Sequence, residues 1–267
     1  MKQTGNQIVQ FCQLYIKYIE ENMPDEGWEL DFDHRYLLFE LMDKLVELFG
    51  GIGEMMILAN DKPFLKTSLF LIVRGALLDV IQAHWLFSKM EADKPEEAQK
   101  DLQLEVKAIN RDHLVSHLFF LKKMNDLNTH LGDHEKFPVE KELDILNTFK
   151  DYSEILGQKI VNISEFKKTK GLVTRKITEM LDKSNVCNQD LRLAYINYSF
   201  YSKVEHSGIL TAEIRNFNYK ENPELTAFLN SSIQIIQRTI IILATSYFQE
   251  TSFLEEFKSF KIYRTES

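Results

Sequence analysis

Glycine, proline, cysteine and basic charge are all scarce in this sequence. Ten glycines and five prolines in 267 residues is about half of average usage. So few chain breakers exclude a collagen-like or low-complexity chain. They also weigh against a β-sandwich, which needs a turn signal at roughly every tenth residue. The two cysteines, Cys12 and Cys187, lie far apart on apolar helical patterns, with no Cys-x-x-Cys pair and no zinc-module spacing. They read as reduced, buried thiols. The 32 Lys and Arg are outnumbered by 40 Asp and Glu, which leaves a net charge of −8 and a pI near 5.5. That balance lacks the basic face of a sequence-independent nucleic-acid binder, although a small local RNA site is compatible with it.

A long unbroken apolar run is missing as well. The N-terminal stretch MKQTGNQIVQFCQLYIKYIEEN has neither a continuous apolar core nor a small-residue cleavage site, so it does not read as a signal peptide. The most apolar segment, Ile233–Phe248, is interrupted by Gln234, Gln237 and Arg238. It reads as a buried helix, too short and too polar to span a bilayer. A cytoplasmic location without membrane association is the expectation.

What is present points to helices. The chain is 44% hydrophobic, with 19 Phe and 10 Tyr, ample for a large core. Apolar spacing predicts helices over Asn6–Glu21 (with Ile8, Phe11, Cys12, Tyr15, Ile16 and Ile19 inward), Asp33–Asn60 behind a capping Asp31 or Asp33, and Phe64–Met90. A long helix over Lys94–Leu131 should break near Asn110 and close at Gly132. Further helices are expected over 139–157, Leu172–Asp182, Gln189–His206 and Glu224–Gln249, with a short one in the tail around Phe253–Phe260. The lysine-rich stretch 158–170 reads as a solvated connection. Ile209–Phe217 is the one strand candidate and is equally readable as helix. Gly50, Gly51 and Gly53 interrupt the second pattern. They suggest a close helix crossing or a bend, since a phosphate-cradling loop would need a preceding strand. The expected fold is all-α, a single bundle of about seven to nine helices. It forms one domain over 1–267, divided into N-terminal helices (1–60), a core bundle (61–250) and a tail (251–267).

Polar residues on apolar faces mark candidate sites. Arg74 and Asp79 sit in the most hydrophobic helix, where an unpartnered charge is costly. Five residues apart, they point about 140° from each other and should meet different partners. His84, ten residues past Arg74, is read on nearly the same face. A second element is the stripe of Tyr195, Tyr198, Ser202 and His206, which brings phenol, hydroxyl and imidazole together for proton transfer or phosphate binding. Ser202 and His206 could touch as nucleophile and base, but no oxyanion loop accompanies them. A third element is Arg111-Asp112-His113…His117. His113 and His117 have the i,i+4 spacing of metal ligands, without the carboxylate register that would complete a site. His130 and His134 repeat the spacing across Gly132 and read as loop residues. No metal and no cofactor are expected. For each of these elements a purely structural role stays open.

Two segments resemble a bacterial family of helical domains of unknown function. They are Val73-Arg74-Gly75-Ala76-Leu77-Leu78-Asp79, in which the family's acid is normally Glu, and Tyr198…Ser202-Lys203-Val204-Glu205-His206-Ser207. That family is similar to the broad HEPN (higher eukaryotes and prokaryotes nucleotide-binding) group of helical bundles. Many of its members are RNases of toxin, abortive-infection and antiviral systems. The resemblance implies a HEPN-like core and an Arg and a His acting across a dimer interface on the phosphate and 2′-OH of RNA. Arg111 and His117 fit the group's Arg–His spacing. On that pattern His117 would do acid–base work and Arg111 would stabilise phosphate charge in a metal-independent transesterification. Arg74 and His206 form the competing pair, brought together in space rather than in sequence.

The sequence therefore expects a HEPN-like, nucleic-acid-directed factor, a candidate RNase of a bacterial toxin or defence system. Arg111, His117 and His206 are the candidate catalytic residues, and Arg74, Asp79, His84, Tyr198 and Ser202 the candidate binding residues. RNA or a nucleotide is the candidate ligand, and a second copy of the chain or an operon-encoded protein the candidate partner. Two other classes stay open: a non-enzymatic helical interaction module, and a small-molecule or nucleotide sensor.

Overall fold

The computed structural model describes residues 1–22, 34–59, 61–90, 95–130, 132, 189–203, 212, 214, 216–248 and 251–262. The side chains of 106–117 and of several residues near helix ends lie outside that description. Among the described residues all regular structure is helical. The elements are α1 (Lys2–Asn22), α2 (His34–Leu58), a 3₁₀ turn (Pro63–Leu65), α3 (Lys66–Met90), α4 (Pro95–His130), α5 (Gln189–Ser202), α6 (Pro223–Tyr247) and α7 (Thr251–Ser259). The protein is all-α. Ala212 and Ile214, in the segment read as either strand or helix, are helical. The helices expected over 139–157 and Leu172–Asp182, the connection 158–170 and the capping aspartates Asp31 and Asp33 lie outside the described residues.

The chain divides into two compact units, one of Met1–Asp31, Arg35–Ser88 and Met180–Ser267, the other of Phe32–His34 and Lys89–Glu179. The N-terminal helices and the tail thus belong to the same unit as α3, α5 and α6. In the second unit, α4 continues through Asn110 without the expected break. It ends at His130, which is helical and exposed rather than a loop residue. Gly132 follows with φ of 74°, the left-handed conformation that closes helices and suits glycine.

In the first unit, α1 starts at Lys2 rather than Asn6. Ile8, Phe11, Cys12 and Tyr15 are buried along one stripe, whereas Ile16 is 48% exposed. At 100° per residue Ile16 falls about 40° beyond Cys12, just outside the edge of that stripe. Phe11 stacks on Phe257 of α7 at 4.2 Å and meets Phe49 of α2 edge-on at 5.9 Å. Tyr18 stacks on Phe253 at 3.9 Å. With Phe253, Leu254 and Phe257 buried, α7 is part of the core rather than a fraying tail.

The glycine cluster resolves into one functional position. A methyl group on Gly53 would lie 2.9 Å from the carbonyl oxygen of Gly5, and one on Gly5 would lie 2.6 Å from that of Gly53. The two backbones therefore touch where α1 crosses α2. A methyl on Gly50 would meet nothing closer than Cys12 Sγ at 3.8 Å, and one on Gly51 nothing within 4 Å.

Both α3 and α6 are long and apolar enough to cross a membrane, over Lys66–Phe87 and Pro223–Ser246. The expectation that the later one is too short is thus corrected: α6 extends ten residues N-terminal of Ile233, beginning at Pro223. Inside the protein 67% and 56% of these windows are buried. A core helix is apolar for the same reason as a spanning one, because most of its circumference meets other side chains.

Gly53→Ala and Gly5→Ala should each lower stability by about 1–3 kcal/mol, because backbone rather than a flexible side chain must give way. Gly51→Ala should raise it by up to about 1 kcal/mol through helix propensity. Thermal melts of the three variants check both signs.

Candidate functional site

Arg74 lies midway along α3, beside the fully buried Val73, Ala76 and Leu77. Its own side chain is half-buried. The Nε–H donates to Ser202 Oγ at 3.1 Å, in the last turn of α5. The guanidinium carbon sits 5.3 Å from the centroid of the Tyr198 ring, within cation–π range. Tyr198 and Ser202 are four residues apart, so one face of α5 presents both to Arg74. Ser202 Oγ in turn donates to the Tyr198 carbonyl at 2.8 Å. Its proton is thereby directed at backbone and its lone pair at Arg74. A hydroxyl so engaged is a strut between helices.

Asp79 is paired across a different helix contact. Lys44 of α2 donates from Nζ to Asp79 Oδ1 at 2.9 Å, with the lysine side chain 59% exposed and the aspartate 7%. The carboxylate is buried and its cation reaches it from the wet side, the usual way a lysine spans such a boundary. The 140° separation of Arg74 and Asp79 is thus realised as two partners on two helices.

His84 does not share the Arg74 face. Ten residues at 100° each leave the two about 80° apart, and His84 turns to α6. Its Nε2 lies 3.2 Å from Thr239 Oγ1, and that hydroxyl donates to the Ile235 carbonyl at 2.9 Å. With the hydroxyl proton committed, the imidazole proton belongs on Nε2. Burial holds the His84 pKa below the ordinary 6.5; the Asp190 carboxylate opposes that shift and Arg238 adds to it. Asp190 and Arg238 themselves form an ion pair at 2.6 Å between α5 and α6.

The face of α5 next to the Arg74 cluster is bound to α6. Asn197, 2% exposed, donates from Nδ2 to Ser231 Oγ at 2.9 Å and Ser232 Oγ at 3.0 Å. Tyr201 OH lies 3.4 Å from Ser232 Oγ, and burial pushes the phenol well above its ordinary pKa. Phe200 stacks on Phe228 at 4.4 Å, with the rings 4° from parallel.

Of the candidate residues, the structure brings Arg74, Tyr198 and Ser202 together and sends Asp79 and His84 to other partners. Arg111 and His117 lie on α4 in the second unit, with side chains outside the described residues, as are those of Asp112 and His113. His134, His206 and Cys187 are outside them too; Cys12 is a free, buried thiol pushed by burial up to about 12. Among the described residues no group of three or more His, Cys, Asp or Glu could hold a metal ion. Asn197, Lys44 and Thr239 were not among the candidates. Asn197 had a signal: Leu191, Ala194, Asn197 and Tyr201 form the buried stripe of α5, and a carboxamide there invites the same question as Arg74.

Compared with protein-family models, with curated proteins and with solved structures, the chain has no match.

The His84 environment sets a pH dependence. The unfolded chain protonates this residue near 6.5 and the folded chain only at lower pH, so the unfolded state binds more protons in between. Stability is therefore full above about pH 6.5 and declines as pH falls through the interval below it. Melting temperatures between pH 7.5 and 5.5 should fall in the wild type and fall less in His84→Gln, which retains a donor for Thr239.

Proposed function

We propose that this chain is a cytoplasmic, HEPN-like helical factor that addresses the phosphate of RNA or of a nucleotide through the Arg74–Tyr198–Ser202 cluster, in a bacterial toxin or defence setting. The observation that carries this reading is the Arg74 Nε–Ser202 Oγ bond, which joins two segments 128 positions apart in the chain. These are the two segments on which the family resemblance rests. Arginine suits the role because its charge persists at any physiological pH and its planar donors match phosphate oxygens. Held by a serine at one edge and an aromatic face at the other, the guanidinium loses little rotamer freedom when it meets an anion. His206, four residues past Ser202 in the sequence, is the group assigned to proton transfer if the bound RNA is cleaved. Arg111 and His117 of α4 are the alternative pair.

A second reading is a non-enzymatic helical module, favoured by the way Ser202 directs its proton at backbone and Arg74 ties α3 to α5. The acidic net charge is also more comfortable with that role.

Binding and cleavage of a labelled single-stranded RNA, measured beside thermal melts, separate the two. Arg74→Ala and His206→Ala should lose on the order of 10²-fold in RNA activity, Ser202→Ala less, while Arg111→Ala and His117→Ala retain it. Activity lost only in the α4 variants moves the site to Arg111 and His117. Wild type that neither binds nor cleaves RNA, with Arg74→Ala lowering the melting temperature alone, leaves the structural module.

A further inference from the structure

The helix that carries Tyr198 and Ser202 has two polar faces. Asn197 and Tyr201 point at α6, where Asn197 bridges Ser231 and Ser232 and Tyr201 approaches Ser232. Tyr198 and Ser202 are the next residues in sequence, about 100° further round, and they point at Arg74 of α3. Apolar contacts alone hold a helix loosely in rotation, because a ring or a methyl group tolerates sliding, whereas a carboxamide sharing two hydroxyls does not. A rotation of roughly 30° carries an oxygen roughly 5 Å from the helix axis through about 2.5 Å, enough to part the 3.1 Å bond between Arg74 and Ser202.

We infer that Asn197 is a positioning residue for Arg74. By locking α5 to α6 it sets the rotation at which Ser202 receives the Arg74 Nε–H and Tyr198 lies under the guanidinium. The geometric part of this inference stands on the hydrogen bonds. Only its consequence for ligand affinity rests on the reading of the Arg74 cluster as a phosphate site.

The Nε–H resonance of Arg74 reads the geometry directly, without any ligand. In the intact protein it should give a protected signal, assigned by its absence in Arg74→Lys and weakened in Ser202→Ala. Asn197→Leu keeps the bulk of the side chain and removes its donors. Its Arg74 Nε–H should exchange at least about tenfold faster, as should that of the Ser231→Ala/Ser232→Ala double variant if Asn197→Leu does not fold. Gly53→Ala, destabilised at the distant α1–α2 crossing, should keep the protected signal. An unchanged Arg74 signal in both lock variants overturns the inference. So does equal loss in Gly53→Ala, which would mean general loosening. Binding of the labelled single-stranded RNA is measured on the same samples. If the wild type does not bind, the phosphate reading fails while the positioning result stands or falls on the resonance alone.

Discussion

An arginine in the middle of the most apolar helix is the constraint around which this unit is arranged. Leaving a guanidinium without partners among Val73, Ala76 and Leu77 would cost several kcal/mol, so α3 must lie where another helix can supply acceptors. The C-terminal turn of α5 does so with one hydroxyl and one aromatic face. Because those two groups are four residues apart on a helix, the arginine dictates which face of α5 turns inward. The opposite requirement, that Asn197 also be satisfied, dictates which face meets α6. Two polar demands about 100° apart on one helix leave it a single rotation.

The rest of the first unit supports this arrangement with less directional forces. Aromatic stacking joins α1 to α7, and a backbone-to-backbone crossing at Gly5 and Gly53 joins α1 to α2. From the other side of α2, Lys44 reaches Asp79 and so gives α3 a second polar tie, about 140° round from Arg74. His84 gives a third, to α6. Three polar residues on one apolar helix thus address three neighbouring helices. Specificity of packing comes from these few contacts and the bulk of the stability from apolar burial.

How much of this was legible in the sequence depended on contrast. Arg74 and Asp79 were visible because they interrupt a nearly continuous apolar run, and the helical period separated their partners correctly. The described helices were legible for the same reason, to within about four residues at their ends, although α4 runs through the break expected near Asn110. Asn197 was harder to see because the stripe it interrupts, Leu191, Ala194 and Tyr201, is short and lies beside the polar Tyr195, Tyr198 and Ser199. Lys44, in the run Asp43-Lys44-Leu45-Val46-Glu47, looks like ordinary surface. Gly53 was noticed but Gly5 was not, since a crossing is a property of two helices and only one of them showed a cluster. His84 lies off the face of Arg74 because ten residues fall about 80° short of three full turns. The separation of Ser202 from Arg74 by 128 positions is beyond any local pattern. The sequence reading paired Arg74 in space with His206, not with Ser202.

The central claim is that Arg74 and Ser202 are energetically coupled across α3 and α5. A double-mutant cycle tests it most directly, using Arg74→Met, which keeps the apolar stem, and Ser202→Ala, with unfolding free energies measured for all four proteins. The account predicts a coupling of about 1 kcal/mol in favour of the native pair. Effects that add to within about 0.3 kcal/mol would contradict it, since two residues that do not sense each other cannot set the rotation of α5.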